Sequence, residues 1–163
     1  MNENVYALAK KLGDLCLEKK ITLAVAESCT GGMLSACLTE VPGSSKWFQG
    51  GVVAYSNFLK ENLLNVSAAV LKNHGAVSEE TAKAMVKGVL EKTRATVALS
   101  ITGVAGPGGG SKEKPVGTVC FAIATEAGLL ESHTQHFLSG REAIRHHSVV
   151  FAIMDLIRII QLH

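Results

Sequence analysis

Aromatic and charged side chains are both scarce in this 163-residue chain, at 5% and 18%, against 47% hydrophobic residues. A single tryptophan, Trp47, and few other aromatics give an aliphatic core rather than a surface on which nucleic-acid bases stack. The formal charge of +2 comes from interleaved acids and bases, so no basic stripe exists to neutralise a run of phosphates. Both shortages argue against nucleic acid as a partner. Cys16, Cys29, Cys37 and Cys120 show no C-x-x-C or metal-ligand spacing, which reads as reduced thiols and no metal site. No apolar run reaches the length of a membrane span, so no membrane partner is expected. The start, MNENVYALAKKLGDLCLEKK, has neither the basic opening nor the unbroken apolar stretch of a secretory signal. A cytoplasmic protein with one domain over residues 1–163 follows, large enough to bury a core without staples. A buried subunit interface in a homo-oligomer accounts for the apolar surplus.

What is present alternates between helix and strand. Val5, Leu8, Leu12, Leu15 and Cys16 recur at spacings of three and four and predict a helix over about residues 3–19. ITLAVA, residues 21–26, is the nearly continuous apolar run of a strand buried on both faces. Residues 30–40 read as a second helix and WFQGGVVAYS as a strand, with Gly50 and Gly51 signalling a bulge or a close backbone approach. A short helix carrying Phe58, Leu59, Leu63 and Leu64 follows, then another that Gly75 caps. Ser78 opens a helix over 79–93, and TVALSIT, residues 96–102, is a third buried strand. It runs into GVAGPGGGSKEKP, the one low-complexity segment. VGTVCFAIAT and LLESHTQHF flank EAG as a hairpin. A last helix opens at SGRE, where Ser139 and Glu142 match an S-x-x-E capping box. This order predicts an α/β domain with helices on both faces of a mixed, partly parallel sheet, whose strand order is not readable.

Ligands of open α/β sheets bind beyond the carboxyl ends of the strands, and three strand ends carry unusual polar sequence. After the first comes AESCTGG. Ser28 fits two roles: a helix N-cap, or a nucleophile whose oxyanion is held by the amides of Cys29, Thr30 and Gly31. The surroundings are not the G-x-S-x-G elbow. The first histidine is His74, and His74, His133, His136, His146 and His147 fall in turns, the hairpin or the last helix, where solvated positions or caps suit them better than a triad. Lys60 is the other route to a base: desolvated, it favours its neutral form; exposed, it is an ordinary helix lysine. Tyr55 reads as a strand aromatic or as a hydroxyl bridging Lys60 to Ser28. Cys29 is the rival nucleophile or a small buried hydrophobe, and Glu27 an ion-pair partner or a contact for a cationic substrate.

The segment from Thr102 to Ser111 suits backbone amides wrapped around a phosphate or a mobile loop, and fits neither the P-loop nor the dinucleotide fingerprint. Arg141 opposes the macrodipole of its helix, so an anion is expected beside it: Glu142, or a substrate phosphate held together with Arg145 on the same face. Two classes of function remain on these residues, a hydrolase or a nucleotide-binding regulatory module without turnover.

Taken together, AESCTGG, WFQGGVVAYSNFLK, HGAVSEETA, SITGVAGPGGGS, KPVGTV and GREAIR resemble the CinA C-terminal domain family, the nicotinamide-nucleotide amidases also called PncC. The motifs appear in order over nearly the whole chain, without the larger N-terminal domain of many full-length relatives. The resemblance implies a three-layer α/β/α sandwich, an oligomer, no metal and no cofactor. It implies hydrolysis of the carboxamide of nicotinamide mononucleotide, a small-molecule nucleotide, to nicotinate mononucleotide and ammonia. On matching positions it makes Ser28 the nucleophile, Lys60 its base and Tyr55 a supporting hydroxyl, with Thr102 and Arg141 in the substrate site. Gly103 and Gly106 of the glycine-rich loop are expected to join Arg141 in anchoring the ribose phosphate.

Overall fold

A computed structural model describes residues 2–163. The chain runs α1 (Glu3–Glu18), β1 (Leu23–Glu27), α2 (Met33–Thr39), β2 (Phe48–Val53), α3 (Asn57–Leu64), α4 (Ala68–His74), α5 (Glu79–Thr93), β3 (Val97–Gly103), β4 (Thr118–Thr125), β5 (Leu130–His136) and α6 (Arg141–Leu162). One five-stranded sheet has the order β2-β1-β3-β4-β5. The first three strands are parallel; β4 adds antiparallel to β3, and β5 antiparallel to β4, as the expected hairpin.

Residue size differs between the two faces of the sheet. Leu23 and Val25 of β1, Val97, Leu99 and Ile101 of β3, and Val119, Phe121 and Ile123 of β4 pack with α1, α2 and α6. Alternate positions on the same strands, Ala24, Ala26, Ala98, Ala122 and Ala124, meet α5. The period of two sends large side chains one way and methyl groups the other. The alanine face admits α5 so closely that Ser100 Oγ, in the middle of β3, donates to the α5 carbonyl of Ala82 at 2.6 Å.

Gly88 of α5 shows how tight this layer is. A Cβ there would overlap the carbonyl oxygen of Leu64, at the end of α3. Alanine would add up to about 1 kcal/mol of helix propensity, whereas overpacking against backbone costs about 1–3 kcal/mol. Packing wins because a backbone oxygen cannot swing aside. Gly88→Ala is therefore expected to lower the melting temperature by several degrees, roughly 2–4 °C per kcal/mol at this size, in a thermal melt. An unchanged or raised melting temperature would contradict the contact.

Several local expectations change. The strand expected over 47–56 ends at Val53, and Ser56 instead caps α3 by accepting from the Leu59 amide at 3.1 Å. The bulge anticipated at Gly50 and Gly51 falls just before them: Leu23 pairs with Phe48 and Ala24 with Gly50, so Gln49 is the extra residue, while Gly51 marks a close approach, since a Cβ there would overlap Ser35 Oγ. The second helix starts at Met33 rather than residue 30, with Gly32 at its N-cap, so Ser28 caps no helix. The Ser139–Glu142 capping box is absent. Gly140 occupies the N-cap of α6 without a side-chain bond, which places Ser139 one residue too early to reach the first-turn amides.

Candidate active site

The crossover from β1 through α2 to β2 covers one face of the sheet, and the return through α3, α4 and α5 to β3 covers the other. The carboxyl ends of β1 and β3 thus diverge at a topological switch point, where open α/β sheets leave a crevice. Parallel pairing continues past the strands: Ser28 N–H donates to Ile101 O at 3.0 Å and Ala54 N–H to Glu27 O at 2.9 Å. These bonds bring three chain segments to one edge. The chain then reverses through Gly31 and Gly32, whose φ angles of 59° and 98° lie in the region that favours glycine.

Ser28, Cys29, Tyr55, Asn57, Lys60, Thr102, Gly103 and Arg141 are among the residues lining a cleft of about 230 Å³ at this edge. Larger cavities exist elsewhere, one of about 510 Å³ with Arg141 also on its wall, but the smaller cleft is the one that gathers reactive groups. Among the described residues, no group of three histidine, cysteine or carboxylate side chains is arranged to hold a metal.

Lys60 sits one turn into α3 and points back along the helix axis, as helical side chains do. It is 1% exposed. Its Nζ lies 2.9 Å from Ser28 Oγ and donates to the carbonyls of Ala54 and Tyr55, each at 3.0 Å. Among the described residues no carboxylate pairs with it. Burial without a counter-charge holds the amine below its ordinary value of 10.5, desolvation outweighing the opposing effect of Cys29. Nζ thus has three oxygen neighbours at hydrogen-bond distance. In its neutral form the two carbonyls, which only accept, would take its two N–H groups, and its lone pair would face the one neighbour able to donate, the Ser28 hydroxyl.

Tyr55 enters this site differently from the expected bridging hydroxyl. Lys60 meets Ser28 directly, Tyr55 contributes its backbone carbonyl, and its ring stands 60% exposed at the cleft rim. Gly31 differs too: its amide is taken by Ser28 O at 3.0 Å in a tight turn, so it is not free for an oxyanion. Among the described residues the amides of Cys29 and Thr30 have no protein acceptor. Burial pushes the Cys29 thiol up to about 12, against the lowering effects of its own backbone amide, Arg145 and Lys60, so the rival nucleophile is held as a thiol.

Glu27, expected in an ion pair, is a fully buried clamp. Its carboxylate accepts from Thr30 Oγ1 at 2.7 Å, the Leu34 amide at 2.9 Å, and the Ser35 amide and hydroxyl at 3.0 and 2.7 Å. A negative group at the first turn of α2 satisfies orphan amides there and ties down the turn that carries Ser28.

Thr102 donates to Ala76 O at 2.7 Å, fastening the segment before α5 against the cleft. Arg141 opens α6 and donates to Gly106 O at 2.7 Å, which ties the glycine-rich segment to the start of α6. Of the glycine-rich segment, Thr102, Gly103 and Ala105 line the cleft. Arg145 departs from the expected pairing with Arg141: it donates to Cys29 O at 3.0 Å and Thr30 O at 3.1 Å, and only Arg141 lines the cleft. The spacing of four put both on one helix face, as read, without saying what each would meet. Asn57 escaped the sequence reading. Its signal was position: it follows Ser56, a cap at a strand end.

Residues 5–160 match the model of the CinA C-terminal domain. The chain is 58% identical over 113 residues to a CinA-like protein of Chlorobaculum tepidum, covering 69% of this chain and 27% of that one. It therefore spans under a third of the length of that relative. It is 42% identical over 156 residues to a protein of Enterobacter agglomerans named nicotinamide-nucleotide amidohydrolase PncC, covering 96% of this chain and 95% of that one. The crystal structure of the competence/damage inducible protein CihA from Agrobacterium tumefaciens superposes with a TM-score of 0.94 at 38% identity, over 97% of this chain and 96% of that one.

Proposed function

Because this chain belongs to the CinA C-terminal domain family, we propose that it is a nicotinamide-nucleotide amidase acting through Ser28 and Lys60. The observation that carries the proposal is the 2.9 Å approach of a buried, uncompensated Lys60 to Ser28 Oγ. The relative named as an amidohydrolase, alike over almost its whole length, supports the choice of substrate.

In this reading Lys60 takes the Ser28 proton as Oγ bonds to the carboxamide carbon of nicotinamide mononucleotide. The negative charge that develops on oxygen is met by the Cys29 amide, joined by that of Thr30. The C–N bond breaks, Lys60 returns the proton to the leaving nitrogen, and ammonia departs from an acyl-enzyme. Water then attacks that ester while Lys60 takes its proton, and nicotinate mononucleotide leaves as Ser28 is reprotonated. Arg141, half of whose hydrogen-bonding fork is engaged by Gly106 O, holds the ribose phosphate, and Thr102 and Gly103 line the path between. Binding so remote from the reacting carbon fixes the amide against the serine. The reading includes a homo-oligomer, supported by Val53, Tyr55, Phe58 and Leu63, which are exposed around edge strand β2 and α3.

The test is ammonia release from nicotinamide mononucleotide, compared with the uncharged riboside. Arg141→Ala is expected to raise KM for the mononucleotide about tenfold or more while changing the riboside little, because a phosphate contact of this kind is worth about 1.5–3 kcal/mol. Saturable nucleotide binding with no ammonia would instead establish a binding module.

A further inference from the structure

Arg145 is a half-buried cation that, among the described residues, has no carboxylate partner. Its guanidinium spends two donors on backbone carbonyls instead, Nε on Cys29 O at 3.0 Å and an Nη on Thr30 O at 3.1 Å. Both belong to the turn that follows Ser28. The donor comes from α6, 116 residues further along the chain.

Peptide planarity gives those bonds a consequence on the other side of the turn. In a trans peptide the N–H points opposite to the carbonyl it adjoins. Cys29 O is held by Arg145, so the Thr30 N–H is turned away from the guanidinium. Ser28 O is held by the Gly31 amide, so the Cys29 N–H is fixed in the same manner. Both amides left without a protein acceptor thus have their partner carbonyls bound, as has the Gly31 amide, which is itself used to close the turn on Ser28 O. A cation on a carbonyl also polarises the peptide and makes its N–H a better donor.

We propose that Arg145 is a positioning residue for acyl transfer: it holds the Ser28–Gly31 turn from behind, setting the nucleophile and the oxyanion donors without touching substrate. Arg145 and Arg141 then divide the work of α6, one for the turn and one for the ligand. The inference rests on the Ser28 reading above. Thr30 is anchored from its other end by Glu27, so loss of Arg145 loosens the turn without releasing it from the fold.

Two measurements test this: steady-state ammonia release from nicotinamide mononucleotide, and the rate at which a fluorophosphonate probe labels Ser28. The probe reports the serine alone, since it forms a P–O bond at Oγ, expels fluoride and needs no nucleotide site. Arg145→Gln is expected to lower kcat and the labelling rate together by about 10- to 100-fold, the scale of an ångström-sized misplacement, with KM changed by less than about threefold. Arg145→Lys, able to reach one carbonyl, is expected to recover part of both rates. It also decides the matter if the glutamine variant fails to fold, as judged by circular dichroism. Unchanged kcat and labelling in a folded variant overturn the proposal, as does a rise in KM alone, which would assign Arg145 to the ligand. A wild type that is labelled but inert toward nicotinamide mononucleotide overturns the substrate and leaves Arg145 to be judged on labelling. A wild type that is never labelled overturns the Ser28 reading and this inference with it.

Discussion

Ammonia release from nicotinamide mononucleotide is expected to fall by about 10⁴-fold or more in Ser28→Ala, with nucleotide affinity retained. The size follows from removing the only atom that bonds to the carboxamide carbon in the proposed reaction. The fold should survive. Ser28 is a small buried side chain whose backbone, not its hydroxyl, carries the bond to Ile101 that secures the strand end. Its hydroxyl contact with Lys60 is worth on the order of 1 kcal/mol, so the melting temperature should move by only a few degrees. Cys29→Ala is the control. With the thiol pushed up to about 12 by burial, almost none is ionised near neutrality, and turnover should stay within about tenfold of wild type. Retained activity in Ser28→Ala would sink the serine mechanism, and loss in Cys29→Ala alone would transfer the role to the thiol.

Lys60 gives the second large effect, with a signature that simple damage does not share. Lys60→Met should lower kcat by about 10²- to 10⁴-fold, the usual worth of a general base. Lys60→Arg should do no better although it keeps the charge, because a guanidinium does not give up its proton and so cannot take one from serine. The pH profile follows from the lowered lysine value. The base must be neutral, so kcat/KM in wild type rises with pH and levels off below 10.5, where an ordinary lysine would still be mostly charged. That limb should vanish in both variants. Stability carries the same proton with a definite sign. Between the lowered value and 10.5 the unfolded chain binds the Lys60 proton and the folded chain does not. Stability therefore declines as pH falls through this window and is flat, as far as this group goes, below it. Denaturant melts across the window, wild type against Lys60→Met, check the slope. A kcat/KM profile with no limb that rises with pH anywhere below 10.5, or an active Lys60→Arg, would remove lysine as the base.

The elements were largely legible because their signals are local. Spacings of three and four marked α1, and apolar runs marked β1 and β3. Ser78 was read as a cap and does accept from the Thr81 amide. Boundaries failed where a cap depends on where the chain enters the helix, as at Ser139 and Gly140, or where a turn is inserted before the helix, as at Ser28 to Gly32. The site was half legible. Reactive residues stood at strand ends, and the absence of any histidine before His74 drew attention to Lys60. Arg145 and Glu27 were misjudged because each acts on backbone: carbonyls for one, amides for the other. Backbone groups are present at every position and so leave no mark in a sequence pattern.

By itself, then, the sequence determined an α/β domain, the strand ends whose residues Ser28, Tyr55 and Thr102 line one cleft, and the family to which the chain belongs. Periodicity, turn residues and motif order are properties of neighbouring positions, and they survive in one dimension. Only the tertiary structure decided the strand order, the direct contact of Lys60 with Ser28 in place of a tyrosine bridge, and the separation of Arg141 from Arg145. Each of these joins segments far apart in the chain, and the value of a lysine as a base depends on burial and on having no carboxylate nearby, which only the packed chain provides.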